Sequence, residues 1–457
     1  MNNVMNAQDI NLNAMQRLVA SEKFRMCALV LLAFFPFGVV LVKSAASTCL
    51  LLGSIMGFLC WLASYPQSSP RLSKQQRWIA FALLAFVSVA ILAFILGEPA
   101  QQGRRELSRF LRFLAFVPLA ILWWQIKPSR AWLWWPIVLA PFVLTEVAIY
   151  QVFFKYQQEL TTILQTTSYQ NYLQFLGQIR AQGATHAILF GDLSLMIGVM
   201  ALGAWPYFSQ YKQHTHRGVR LLRWLPLVSV LMGVSASFLS GSRGAWLAIP
   251  VLLGLGIWMS WNWFARWQRN AIIAMLSIGL LLVVTLPSLS VVKRVELAIH
   301  EVETYQPGTT ATSVGMRIEM WRFAWSLFKE SPLHGVGVGV YAERAAVAAD
   351  QGLINKRIGH FSHPHNEYLF VMASRGLLGL IVLLAVFVVP AFIFWRYRQK
   401  SWEHQGVAFA GLVVVLGYMI FGLTEAIFAR TIPIGTYTFY LALISYYLST
   451  ESDATKV

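Results

Sequence analysis

Gly376-Leu-Leu-Gly-Leu-Ile-Val-Leu-Leu-Ala-Val-Phe-Val-Val-Pro-Ala-Phe-Ile-Phe-Trp395 runs without a single charge, and Arg396, Arg398 and Lys400 follow at once. At 1.5 Å per residue, a helix of this length is about 30 Å long, the thickness of a bilayer's hydrocarbon core. The stretch reads as a transmembrane helix with a basic end. Stretches of the same kind recur outward from it, at 26–42, 47–64, 78–96, 108–126, 132–154, 186–208, 224–240, 244–260, 271–292, 407–425 and 431–448. Composition agrees: 57% of the 457 residues are apolar and 12% charged, against about a quarter charged in a soluble domain. The expected fold is an all-α polytopic membrane protein with about twelve transmembrane helices and no large separate soluble domain.

A net charge of +17 would point to nucleic acid in a soluble protein. Here its distribution points to a phospholipid bilayer instead. Arg17, Lys23 and Arg25 precede the first span; Arg71, Lys74 and Arg77 fill the second loop, and Lys127 and Arg130 the fourth. Lys212, Arg217, Arg220 and Arg223 fill the sixth, Arg266 and Arg269 the eighth, and Arg396, Arg398 and Lys400 the tenth. Basic short loops face the cytoplasm, so both termini are expected there. The third loop, with Arg104 and Arg105, runs against that rule. The expected organisation is a cytoplasmic segment 1–25, spans one to nine over 26–292, a large outward loop 293–375, spans ten to twelve over 376–448, and a cytoplasmic tail 449–457. The outward side is the periplasm if the cell is Gram-negative.

Cys27, Cys49 and Cys60 sit in or beside the first two spans at no metal or disulfide spacing, and read as small core residues. The polar first 24 residues and the second span that follows the first favour a retained anchor over a cleaved leader. No internal repeat is visible, which weakens an inverted-repeat transporter.

Three outward features carry candidate chemistry. In Ser240-Gly-Ser-Arg-Gly-Ala-Trp246, Arg243 lies between two glycines on the side that usually lacks basic residues. It reads equally as an interfacial anchor or as a functional contact. In Gly315-Met-Arg-Ile-Glu-Met-Trp-Arg322, Arg317 and Trp321 share a helix face over a predicted helix 315–329. A solvated face with a Glu319–Arg322 pair would account for most of these charges. Gly335, Gly337 and Gly339 look like a phosphate loop, but no strand precedes them and no Lys-Ser/Thr follows. The third feature is Phe361-Ser-His-Pro-His-Asn-Glu-Tyr-Leu-Phe370, with His363, His365 and Asn366. His300, His334 and His360 are also available, but no zinc spacing emerges, so no metal is expected. Arg375 reads as a membrane-interface residue that needs only its charge. Asp192, inside a span, needs a partner; Arg109 or Arg112 is the expected one, in a structural ion pair.

His365-Asn366, nine residues, then Gly376-Leu-Leu-Gly379 resembles the signature of the O-antigen ligase and polymerase superfamily. The Ser240–Trp246 turn resembles the outward Arg turn of the ligases. Gly315-Met-Arg317 with Trp321, then Pro332-Leu-His-Gly-Val-Gly337, resembles the periplasmic-loop motif that precedes the His. The likeness covers roughly residues 180–380. It implies a GT-C-like fold, Arg243 and Arg317 as pyrophosphate clamps, and His365 as catalytic base. It also implies an undecaprenyl-pyrophosphate-linked glycan as donor and lipid A-core as acceptor, at the periplasmic face of a bacterial inner membrane. Ser374-Arg375-Gly376 is closer to the lipopolysaccharide ligases than to protein-directed transferases.

The chemistry is coherent from below. The lipid pyrophosphate is its own leaving group, so neither ATP nor another cofactor is required. Bidentate guanidinium contacts absorb the charge that its departure builds. A sugar hydroxyl becomes a competent nucleophile once a base takes its proton. With no outward Asp-x-Asp pair, arginines stand where many glycosyltransferases use a metal. An O-antigen polymerase, a protein O-oligosaccharyltransferase and, from another class, a twelve-span transporter remain as alternatives.

Overall fold

The computed structural model describes residues 7–64, 72–155, 180–270, 273 and 313–449. Every regular element among them is helical. A short helix α1 (Ala7–Ala20) leads into α2 (Glu22–Leu41), α3 (Ala45–Ser64), α4 (Lys74–Leu96), α5 (Gly103–Ile126) and α6 (Arg130–Lys155). Then come α7 (Ala187–Gln213), α8 (Arg217–Ser240) and α9 (Arg243–Ser260). Two helices outside the bundle, α10 (Ser313–Glu330) and α11 (Val340–Asp350), precede α12 (Glu367–Tyr397), α13 (Trp402–Phe421) and α14 (Thr431–Ser449).

Ten of these helices are long and apolar enough to cross a membrane. With α14 in the place of the last expected span, they account for the predicted spans except 271–292, which lies outside the described residues apart from Ile273. Leu51, Phe58, Phe81 and Ile95 are exposed large apolar side chains of the kind a lipid-facing surface carries. At the centre stands α7, with 94% of its apolar stretch buried. Its glycines explain how it fits: Gly198 meets Gly233 of α8 backbone to backbone, and Gly203 meets Gly406 of α13. A side chain at any of these four would force the helices apart, the usual reason small residues line membrane helix contacts.

The positions of two helices depart from expectation. Helix α12 begins at Glu367 rather than near 376, and α13 ends at Phe421 rather than 425. Within α12 the backbone breaks at Gly376 (φ 62°, ψ −158°). That break receives another segment: Val336 and Gly337 donate to the Ala373 and Ser374 carbonyls, and Leu377 and Leu378 donate to Pro332 and Leu333. The 332–337 loop is thereby hydrogen-bonded into the kink, which seats α10 and α11 on the first half of α12. Phe323, Tyr341 and Phe370 stack edge-on across that joint, with ring centroids 5.6 and 6.0 Å apart. The joint also reaches the segment that follows α4, where Arg344 pairs with Glu98 and the Glu98 amide donates to the Val336 carbonyl.

Candidate active site

The first turn of α12 organises the site. Asn366 caps the helix, accepting from the Leu369 amide at 2.9 Å, and its amide nitrogen donates to the Leu423 carbonyl at 3.1 Å. The Glu367 amide donates to the Gly422 carbonyl at 2.8 Å. The turn after α13 is thus stitched to the start of α12, and Glu425 comes opposite the two histidines. His365 lies in the left-handed region (φ 51°), a conformation that costs a residue with a β-carbon about 1–3 kcal/mol. Its neighbours hold it there. The Trp321 indole donates to the Pro364 carbonyl at 3.0 Å, and the His365 amide donates to His363 Nδ1 at 3.4 Å.

His365 Nδ1 lies 2.9 Å from Glu425 Oε2, and His363 Nε2 lies 3.4 Å from Glu425 Oε1. Glu425 and His363 are buried, whereas the His365 side chain keeps 16% of its surface. Burial alone would push the Glu425 carboxyl up. The His365 hydrogen bond and the charges of His363, His365 and Arg430 outweigh it and bring the pKa down to about 2. Burial pushes His363 down to about 4, against the pull of Glu425. Glu425 is therefore an anion and His363 a neutral ring. A carboxylate only accepts, so Nδ1 of His365 carries the proton in their hydrogen bond, and Nε2 presents its lone pair. Nε2 makes no hydrogen bond among the described residues.

The structure brings the three sequence motifs to this point. Ser242 caps α9 and donates to Asp192 Oδ1 at 2.7 Å. Gly244 packs so tightly on Thr424, the residue before Glu425, that a β-carbon would overlap its hydroxyl. The backbone of Arg243 stands between those two anchors. Arg317, half-buried, lies one turn before Trp321 on α10, whose indole reaches Pro364. The expected Glu319–Arg322 pair is present at 4.0 Å.

Other expectations are corrected. Asp192 takes its hydrogen bond from Ser242 and forms no ion pair with Arg109 or Arg112 among the described residues. Those arginines donate instead to the carbonyls of Ala429 (2.7 Å) and Ser108 (3.0 Å). Gly335 and Gly337 have positive φ (73° and 125°) and serve packing. A methyl on Gly335 would strike the Arg375 amide, and one on Gly337 would crowd Glu98. Arg375 is no interfacial residue. It is fully buried, 3.5 Å from Glu106, with its guanidinium 4.1 Å from the Phe110 ring centre and 5.0 Å from that of Phe86.

Sequence reasoning missed Glu425, Arg430 and Glu106. Glu425 was absorbed into the predicted span 407–425. The available signal was a pair of charges, Glu425 and Arg430, in the short link between the last two spans. Glu425 also completes a three-donor group: the ligand atoms of His363, His365 and Glu425 all lie within 4.8 Å of one another. The charges of Arg430 and Arg109 act on His363 in the same place, which disfavours a dication there.

Residues 227–384, which hold Arg243, Arg317, His365 and both signature glycines, match the family model described as O-antigen ligase. An O-antigen ligase of Escherichia coli is 23% identical over 199 residues, 43% of this chain and 45% of that protein. An uncharacterised protein of Haemophilus influenzae is 23% identical over 360 residues, covering 78% of this chain and 83% of that one. The matched residues include every sequence motif that converges on His365, and over them the chain is similar to the O-antigen ligases.

Proposed function

We propose that this protein transfers O-antigen polysaccharide from undecaprenyl pyrophosphate to a sugar hydroxyl of lipid A-core, at the periplasmic face of the inner membrane and without a metal. The observation that carries the reading is the His365–Glu425 pair. Glu425 orients the ring and stabilises the imidazolium that forms as Nε2 takes the acceptor's proton. Arg243 and Arg317 bind the pyrophosphate and stabilise its departing charge. Three features support this assignment: convergence of the motifs at one end of the bundle, basic short loops of the kind that favour this end lying outside the cytoplasm, and the family match.

The polymerase reading uses the same donor, and loss of the gene separates the two. A ligase mutant accumulates long glycan on the lipid carrier, visible in extracted lipid-linked saccharides. A polymerase mutant instead leaves single repeat units on the core. Single-repeat lipopolysaccharide in the mutant would replace the ligase reading with the polymerase one. For the metal-free claim, purified enzyme should keep its rate in excess EDTA. A loss restored by one particular divalent ion would assign the His363–His365–Glu425 group to that ion.

A further inference from the structure

Beside the His363–Glu425 pair lies a cavity of about 460 Å³, within the size range of small-molecule sites (roughly 300–1,000 Å³). Its polar lining is cationic or donor-rich: Arg109 from α5, His186 before α7, and Arg430 before α14. Arg109 is fixed by its hydrogen bond to the Ala429 carbonyl, which also anchors the backbone next to Arg430. Arg430 itself makes no hydrogen bond or ion pair among the described residues, and its Nε is buried without a partner. His186 Nδ1 accepts from the Ile188 amide at 3.4 Å, which leaves Nε2 as the protonated nitrogen of the neutral ring. The first turns of α7 and α14 both contribute to the wall, and helix N-termini favour anions.

We infer that this cavity is a phosphoryl-binding subsite, separate from Arg243 and Arg317, in which Arg430 and Arg109 hold a phosphate of one of the two glycolipid substrates. The inference rests on the transferase reading only for the source of the phosphate, the donor's diphosphate or a phosphate on the acceptor. The recognition itself rests on the guanidinium of Arg430, which makes no hydrogen bond among the described residues, the fixed guanidinium of Arg109 and the two helix starts.

The test uses the full-length protein in detergent with inorganic pyrophosphate as probe, read by thermal shift. Arg430→Gln should weaken pyrophosphate binding about ten- to a hundredfold, the effect of losing one hydrogen bond to a charged group. Arg430→Lys should weaken it less, since it keeps the charge. His365→Ala should bind as the wild type does, which separates the pocket from the catalytic base. In transfer assays Arg430→Gln should raise the KM for one substrate. An increase for the undecaprenyl-pyrophosphate glycan assigns the donor, and an increase for phosphorylated lipid A-core assigns the acceptor. Wild-type pyrophosphate affinity in an Arg430→Gln protein that melts normally overturns the subsite. Absence of transfer from every lipid-linked donor, with pyrophosphate binding still dependent on Arg430, would leave the subsite standing and remove the transferase reading.

Discussion

The start of α12 supports two clusters of buried acid and base that look alike on paper. His363, His365 and Glu425 meet at one end of it. Glu106 meets Arg375 beside its first turns, and Glu367 at its head accepts from the Phe428 amide at 2.9 Å. In the first cluster one ring is partly exposed, one backbone is held left-handed, and one nitrogen lone pair has no donor. In the second everything is sealed: Arg375 lies between a carboxylate and two phenyl rings with no exposed surface. The difference teaches how to tell a reacting group from a fastening. A reacting group keeps a polar atom open toward solvent or substrate, and a fastening keeps its polar atoms away from both.

The comparison breaks most visibly at His365. His365→Ala should slow transfer about 10²–10⁴-fold, the usual contribution of a positioned base, while leaving membrane insertion and melting temperature near wild type. Near-normal transfer at matched expression would sink the assignment and make His363 the next candidate. Arg375→Ala should behave in the opposite way. Leaving Glu106 without its buried partner costs about 3–5 kcal/mol, read as a lost or lowered melting transition. Arg375→Lys should recover only part of this, because an ammonium cannot lie flat on Phe86 and Phe110. An Arg375→Lys protein with wild-type stability would show that charge alone suffices there.

Acid should divide the clusters further. His363 stays neutral in the fold down to about pH 4, whereas an unfolded chain protonates near pH 6.5. Between those values the unfolded state takes up a proton that the folded state refuses, so stability falls as pH falls, by on the order of 3 kcal/mol. Glu425 adds a second loss below about pH 4.5 as its carboxylate is finally protonated. His363→Gln should flatten the upper window and leave the lower one, measured as melting temperature against pH in detergent. An unchanged slope between pH 6.5 and 4 would contradict the buried neutral ring.

The smallest expected change sharpens the assignment of the clamps. Arg243→Lys and Arg317→Lys keep the charge but lose the planar fork, and each should slow transfer about ten- to a hundredfold. Full activity in both would remove the bidentate contact from the mechanism.

Much of this was legible in the sequence, and the rest was not for identifiable reasons. Apolar runs located the spans because lipid leaves a helix few alternatives to burying its backbone polarity in itself. The helix over 315–329 was legible from its spacing, and the observed helix is Ser313–Glu330. Helix starts were not. Helix α13 begins at Trp402, five residues before the predicted span, because its polar first turn is satisfied by tertiary contacts. Ser401 caps it, and Gln405 bonds the Trp263 indole and the Met259 carbonyl. A hydropathy window sees Glu403, His404 and Gln405 as loop. The same holds for Glu367 at the head of α12. Of the site, His365 was found through the spacing of its motif, but Glu425 lies 60 residues further on. The Arg375–Glu106 pair joins positions 269 residues apart. Neither pairing leaves a local pattern.

The kink at Gly376 has a further consequence for length. Asn366 starts the helix and Gly376 breaks it, so the segment between them is a rod of under three turns, about 15 Å long. One end carries the two histidines; the other is locked to the 332–337 loop by four backbone hydrogen bonds. Adding or deleting one residue would turn one end against the other by about 100° and separate His365 from Glu425. The nine-residue interval between Asn366 and Gly376 is thus a ruler that sets both the height and the phase of the histidine pair above the glycine break.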